Sequence, residues 1–467
     1  MKKLVFITIL LSVLLYGCDN SFLEQDKPLV STESIIYTNA DKTEMALLGL
    51  YSSLKGSPNA DYLGGKSYII FDALGDDLID LDPNGVTLYN TYIMQILPGT
   101  SENGLVWYYA YLAINRANVF MEAMETYNTA EIIGADLANQ YIAEAKFARA
   151  LSYYYLVQLY AQPYKLNKAA KAIPLRLTAI KEGGHSDLAC STNAKVLEAI
   201  LSDLDDSVLA ALPNDASIKT RATKAAANML KMRVLMLMEN WQAAIRAGEA
   251  VLGYELVENV AAQFSTPFYT EESIFSFPQS SNDSPNTQRS PWEYYRTGAI
   301  FVIDKVNGVM SMPNYSLSKD KRVAAFDNNG TLLKFPSTDK LNWIPIFRFA
   351  ETKLNLAECY AQSNRDGDAR SALTEVRRRS IAEDDDPLNV SALSGIALLE
   401  AISNEKRLEF LGEGMRGLDI LRKGETFNKT GSPLSGVINV SPQSTFYVWP
   451  IPEDERVNNR LWNELEP

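Results

Sequence analysis

The sequence predicts a mostly α fold in which amphipathic helical hairpins are interrupted by long irregular insertions. Two observations predict it. Apolar residues recur every three or four positions through several long stretches, which is the period of one helix face. Between those stretches lie segments dense in Gly, Pro, Asn and Ser, longer than simple connections in a compact domain usually are.

Taken in order, the chain opens on Met1-Lys2-Lys3, followed by an apolar run from Leu4 to Tyr16 in which only Thr8 and Ser12 are polar. A basic start and a short apolar run read as a secretion signal. A bilayer span takes roughly 20 apolar residues, so this run is not an anchor helix. Leu15, Tyr16, Gly17 and Cys18 follow the pattern Leu-x-Gly-Cys. That pattern resembles the bacterial lipobox, whose cysteine is acylated and becomes the mature N-terminus. The expected organisation is a signal peptide over 1–17, lipidation at Cys18, a tether over 18–40 and a single domain over 41–467. Several acyl chains, at about 0.8 kcal/mol per buried CH2, hold a protein stably at a membrane, whereas one chain holds it marginally.

Helices are predicted at 41–55, 104–127, 141–164, 192–212 and 391–413. In 141–164, Ala148, Leu151, Tyr155 and Leu159 form one stripe, and Pro163 marks its end. Segment 223–252 reads as two helices broken near Glu239-Asn240, and 347–380 as two broken near Asn364. The two pairs superpose at a constant offset of 125: Ala225, Met229, Met232, Leu235 and Ala244 fall on Ala350, Leu354, Ala357, Tyr360 and Ala369. Small residues at the helix contact with apolar residues every three or four positions are the packing pattern of tetratricopeptide-type hairpins. Each such hairpin has an oily face that must stack on a neighbour. The predicted helical scaffold covers about 104–252 and 344–424. The irregular stretches are 56–103, 165–190, 253–345 and 424–450. Of these, 56–103 and 253–343 are expected to form a loop-rich binding region, with short strands in pieces such as "ESIFSFPQ" (272–279).

Composition excludes several functions. A net charge of −13 argues against nucleic-acid binding and against a polybasic hold on anionic lipid. Apolar residues make up 46%, enough for a sizeable core. Beyond Cys18 only Cys190 and Cys359 remain; they could pair but read as small apolar fillers. One histidine, His185 in "EGGH", leaves no histidine zinc cluster and little room for a Ser-His-Asp triad. Arg348 with Glu351, Glu405 with Arg407 and Glu409, and Arg416 with Asp419 lie at or near helix-neighbour spacings, so salt bridges are expected there, the strongest being buried Arg–carboxylate forks. A carboxylate pair for glycoside hydrolysis would need two acids about 5–9 Å apart across a cleft. "DLDPNG" opens like a calcium loop, with Asp80, Asp82 and Asn84 alternating before Gly85. Pro83 intrudes, however, and the twelfth position is Thr91, so calcium is only a weak candidate and no other metal or cofactor is expected.

"NGLVWYYAYLAINRANVFMEAM" (103–124), "NEKRLEFLGEGMRGLDILRKG" (404–424) and "YVWPIPEDERVNNRLW" (447–462), with other segments in order between them, resemble the SusD/RagB family of Bacteroidetes surface lipoproteins. "CDNSFLEQDKP" is similar to its acylated start, and "WYYAYLAINRAN" (107–118) to its W-x-x-x-Y-x-x-I-N-R-A-N segment. "AEAKFARALSYYYLVQLYAQP" resembles its E-x-x-x-x-R-A helix, "IPIFRFAETKLNLAECYAQ" its R-x-A-E helix and "NEKRLEFLGEGMRGLDILRKG" its E-R-x-x-E…E-G-x-R segment. "YVWPIPEDERVNNRLW" resembles its closing P-I-P motif. Met415 and Gly417 depart from the family's usual occupants. The resemblance implies a tetratricopeptide-like α scaffold, an outer-membrane cell-surface location and a SusC-like TonB-dependent transporter as partner. It also implies a role in capturing an oligosaccharide, or less often a peptide, without catalysis. A surface glycosidase and a protein-only scaffold are the alternative functions.

A sugar-binding face needs flat rings for the C–H face of the sugar and planar polar groups for its hydroxyls. The densest loop cluster is "SPWEYYRTG" (290–298), which has no helical periodicity and offers Trp292, Tyr294, Tyr295 and Arg296. "LYNTYIM" adds Tyr89 and Asn90, and "MPNYS" adds Asn314 and Tyr315. By the resemblance, "GDD" at 75–77 matches an acidic loop near the ligand face, which makes Asp76 and Asp77 candidates for hydroxyl recognition. Tyr153 to Tyr155, on a predicted helix, are expected in the core.

Overall fold

The structure, a computed structural model, describes residues 33–81, 88–296, 300–312, 319–434 and 436–466. The signal segment and Cys18, the calcium candidates Asp82 and Asn84, and the ligand candidates Asn314 and Tyr315 lie outside the described residues.

Long helices dominate, and they fall close to where the periodicity predicts. Ala40–Lys55, Ser101–Thr126 and Ala135–Tyr160 pack on one another. Asn39 caps the first of these by accepting from the Lys42 N–H, satisfying one orphan donor. Gly56 closes it in a left-handed conformation (φ 81°), where a Cβ would lie 2.2 Å from the Tyr62 nitrogen. The predicted 192–212 helix is two pieces, Asn193–Ser202 and Asp206–Ala211, because Asp205 caps a new start by accepting from the Val208 N–H.

The repeat prediction is met in detail. The first hairpin is Lys224–Leu237 and Trp241–Glu249, and the second is Phe349–Gln362 and Asp366–Arg378. All ten superposed residues are buried. The turns match as well: Glu239 (φ 55°) and Asn364 (φ 57°) are both left-handed, and 364 less 239 is again 125. The hairpins stack directly. Gly248 lies so close that a Cβ there would sit 2.8 Å from Leu356 Cδ2 and 2.9 Å from Met232 Cε. Gly395–Glu409 and Met415–Lys423 extend the stack.

Strands are few and short among the described residues. Ser273–Phe277, inside the predicted "ESIFSFPQ" piece, pairs antiparallel with Ile344–Arg348, which feeds directly into the second hairpin. Leu78–Asp80 pairs with Phe301–Ile303, joining the two loop-rich segments.

Two expectations are corrected here. Segment 56–103 is not wholly irregular, since it holds the fully buried helix Lys66–Leu74, "KSYIIFDAL". A helix buried on every side has no polar face, so no period marks it. "SPWEYYRTG" contains one helical turn, Pro291–Tyr295, with a capping box between Ser290 and Glu293. Cys190 and Cys359, read as small apolar fillers, are both free and buried.

Candidate functional site

The charged residues that look most like chemistry are interior fasteners. Arg348 is 2% exposed and holds three carboxylates: Glu272 at 2.6 Å, Glu409 at 2.6 Å and Glu413 at 2.8 Å. Arg322 adds Asp320, Glu405 and Glu409, and Arg377 joins Glu405 to Asp386. Burial alone would raise the Glu409 pKa, but Arg379, Arg348 and Arg322 overcome it and hold the acid far below the usual carboxylate range. The predicted short-range pairings are therefore corrected. Glu351 binds Arg233 rather than Arg348, Arg407 binds Asp77, and Arg416 binds Asp76 while Asp419 binds Arg422 and Lys423. The Asp419 pairs are helix neighbours at i+3 and i+4, whereas Arg233, Arg407 and Arg416 tie segments far apart in sequence, which helix spacing cannot reveal.

Asp76 and Asp77 belong to that interior. The Arg416 guanidinium grips Asp76 through two bonds, at 2.6 and 3.0 Å. Asp77 is 3% exposed, pairs with Arg407 and accepts from the Val309 N–H at 2.9 Å. Asp76 is half-buried and Asp77 buried, and each carboxylate is already held by an arginine. Lys429, also buried, faces Asp76, Asp77 and Asp80. It donates to the Ala73 carbonyl at 2.7 Å, and burial pulls its pKa down to about 7. Among the described residues no group of three His, Cys, Asp or Glu could hold a metal ion.

The ring cluster divides by helix geometry. In the turn Pro291–Tyr295, Tyr294 and Tyr295 point inward and are fully buried, which corrects the expectation that both face a ligand. Tyr294 stacks on Phe301 (centroids 6.0 Å apart, 16° between planes), and its hydroxyl accepts from Lys66. Tyr295 donates to Asp72 at 2.5 Å. Asp72 lies deep enough that burial pushes its pKa up to about 7, against the hydrogen bonds from Tyr295 and the Gly414 N–H. Trp292 and Arg296 are half-buried and reach the surface. Tyr89 is half-buried against the core, and Asn90 is exposed.

Around Trp292 the structure assembles residues that the sequence did not single out. Arg289 bonds through Nε to Asp61, a buried carboxylate that also accepts from the Tyr109 hydroxyl and from Asn59 Nδ2, both at 3.1 Å. Burial and the neighbouring Asp61 push the Tyr109 pKa up to about 12. Tyr108 lies edge-on to Tyr109 (centroids 5.2 Å) and is 60% exposed. On the other side Glu293 pairs with Lys340 at 2.7 Å. Three residues on, half-buried Trp343 stacks with Tyr269 (centroids 5.0 Å, 29°). The result is a run of rings and paired charges across 59–61, 108–109, 289–296, 340–343 and 269. Tyr108 was legible in principle. In Ser101–Thr126 the buried residues include Val106, Trp107, Ala110, Ala113 and Ile114, which leaves 108 on the outer face.

Comparison with known proteins places this arrangement in a family. The model of the SusD family matches residues 329–464, and a second model, described as starch-binding associating with outer membrane, matches 58–236. SusD-like protein P25 of Formosa agariphila is 24% identical, over 88% of this chain and 87% of its own length. The surface glycan-binding protein A of Bacteroides thetaiotaomicron, solved in complex with laminarihexaose, shares the fold at 18% identity (TM-score 0.68; 89% of this chain, 97% of that one). A SusD superfamily protein from Bacteroides fragilis superposes with a TM-score of 0.87 at 47% identity, covering 92% of this chain and 100% of its own. With one relative so similar over nearly its whole length, and two family models matching in order along it, the chain belongs to the SusD family.

Proposed function

We propose that this protein is a cell-surface lipoprotein that captures an oligosaccharide and passes it to a SusC-like TonB-dependent transporter, without altering it. The observation that carries this is the run of rings and charged pairs centred on Trp292. Flat rings cover the apolar face of a sugar, and Arg and Asp side chains bind its rim. In this assignment Trp292 is the central platform, Arg296, Tyr89 and Asn90 are flanking contacts, and Asn314 and Tyr315 remain candidates. Tyr294 and Tyr295 support the turn of Trp292 from beneath, and Asp76 and Asp77, held by Arg416 and Arg407, remain candidates for hydroxyl recognition. Acylation at Cys18 would hold the protein at the outer membrane; no helix among the described residues is long and apolar enough to cross one. The second family model's description and the laminarihexaose complex of the distant relative support a glycan over a peptide. The engagement of the interior carboxylates by arginines supports binding over hydrolysis.

The test is a screen of the mature protein against glycans and peptides, with the bound material recovered and analysed. The expected outcome is an intact oligosaccharide ligand and at least a tenfold loss of affinity in Trp292→Ala, the factor that 1.4 kcal/mol of lost stacking produces. Shortened products would favour a glycosidase, and unchanged affinity in the variant would remove Trp292 from the site. Pull-down from detergent-solubilised outer membranes tests the partner: a large barrel is expected, and its absence would overturn the transporter assignment.

A further inference from the structure

We infer that the Tyr269–Trp343 pair is the far end of the same glycan site, so that the protein selects long chains over short ones. This inference rests on the glycan-binding proposal above and extends it from a ligand class to a ligand length. The two rings come from separate segments and stack on each other at 5.0 Å, yet Tyr269 remains 39% exposed. Their backbones are pinned on both sides. Buried Asn342 donates to the Phe264 carbonyl at 2.8 Å and accepts from the Ser337 N–H at 2.8 Å. Thr270 donates to Gln263 at 2.6 Å, and its N–H donates to Ser273 Oγ at 3.0 Å. Trp343 directly precedes the strand Ile344–Arg348, which is fully buried. A rigid, solvent-facing ring pair loses little conformational freedom when a ligand covers it, which is the condition for efficient stacking.

Continuity with Trp292 fixes the occupant. The Glu293–Lys340 pair joins the helical turn of Trp292 to the segment of Trp343. Glu293 adjoins Trp292 in sequence, and the three residues from Lys340 to Trp343 span no more than about 10 Å. The pair itself is a tie rather than a contact, since Lys340 holds one Glu293 oxygen and the Arg289 and Ser290 N–H groups donate to the other. A disaccharide can cover one platform; a chain of several sugars covers both. A second molecule of a different chemistry would have no reason to find its surface joined to the first platform in this way.

The experiment titrates the mature protein, in detergent, with laminarin, starch, xylan, mannan and pectin and with their oligosaccharide ladders from disaccharide to octasaccharide. Trp343→Ala is expected to weaken octasaccharide and polysaccharide binding about tenfold while leaving disaccharide binding unchanged. Trp292→Ala should weaken every length. Because Trp343 is half-buried, Tyr269→Ala serves as a second variant, with circular dichroism to show that each variant is folded. Octasaccharide affinity equal to wild type in both folded variants overturns the extension and leaves the glycan proposal standing. Failure of the wild-type protein to bind any member of the panel overturns both.

Discussion

In the stacked hairpins and the helices that extend them, Arg348 is 2% exposed and grips three carboxylates; on the loop-bearing face, Arg289 keeps 27% of its side chain in solvent and grips one. The first arrangement leaves no valence for a ligand, and the second does. Two of the family-like segments, 344–362 and 404–424, supply most of the first region's charged residues, while Trp292, Tyr269 and Trp343 lie in the second and Tyr108 projects from the helix Ser101–Thr126. A motif of charged residues therefore marks how this fold is locked, and the irregular residues around it mark what the fold is for.

The largest effect expected from breaking this contrast is Arg348→Ala. Removing the arginine leaves Glu272, Glu409 and Glu413 buried with a cation missing, and breaking a buried pair from one side costs about 3–5 kcal/mol. Denaturant unfolding should show that loss, or the variant should fail to accumulate. Trp292→Ala should unfold like wild type while losing affinity. A loss below about 1 kcal/mol in Arg348→Ala would mean that the network is not the lock described here.

A pH series sharpens the same comparison from inside the face. Asp72, beneath Tyr295, has a folded pKa raised to about 7 against an ordinary value near 3.9. A carboxyl raised in this way contributes stability below the unfolded value, and that contribution is lost as pH rises from about 3.9 through about 7. Asn in its place still accepts from the Tyr295 hydroxyl and carries no charge. Asp72→Asn should therefore gain on wild type by about 2–3 kcal/mol between about pH 5 and pH 8 in denaturant titrations. A difference that stays constant across this range would show that Asp72 does not titrate there. The hairpin acids behave oppositely: Glu409, held low by its arginines, contributes stability that is lost only as pH falls below the ordinary glutamate range.

How much of this was legible in the sequence follows from the range of each signal. The hairpins were readable within a few residues, with breaks placed near Glu239-Asn240 and near Asn364, because helical periodicity and turn chemistry are local. The helix Lys66–Leu74 was hidden because it is buried on all sides. The turn at Trp292 carried a local signal that was passed over: Ser290, Pro291 and Glu293 form a capping box with proline at the first helical position. Recognising it would have separated Trp292 from its inward-facing neighbours Tyr294 and Tyr295. The carboxylates held by Arg348 and Arg407, and the Asp76 held by Arg416, lie 61 to 340 residues away, and no spacing rule reaches that far. The same holds for the meeting of Tyr269 with Trp343.

The smallest effect belongs to Tyr108, and it asks where the binding face stops. Its ring is 60% exposed and leans edge-on against Tyr109, whose hydroxyl is tied to Asp61. Removing so exposed a ring should change stability by no more than about 0.5 kcal/mol, since surface substitutions away from special features seldom do more. If the face extends this far, Tyr108→Ala should weaken oligosaccharide binding by about two- to threefold, less than Trp292→Ala, because an exposed ring gives up only part of its area to a ligand. The comparison that decides is with Tyr109→Phe, which keeps the ring and removes the bond to Asp61. A loss in Tyr108→Ala alone assigns the ring to the ligand. A loss in Tyr109→Phe alone assigns the effect to the Asp61–Arg289 pair. No loss in either ends the face at Arg289, and the apolar ring at 108 then belongs to whatever else this surface meets.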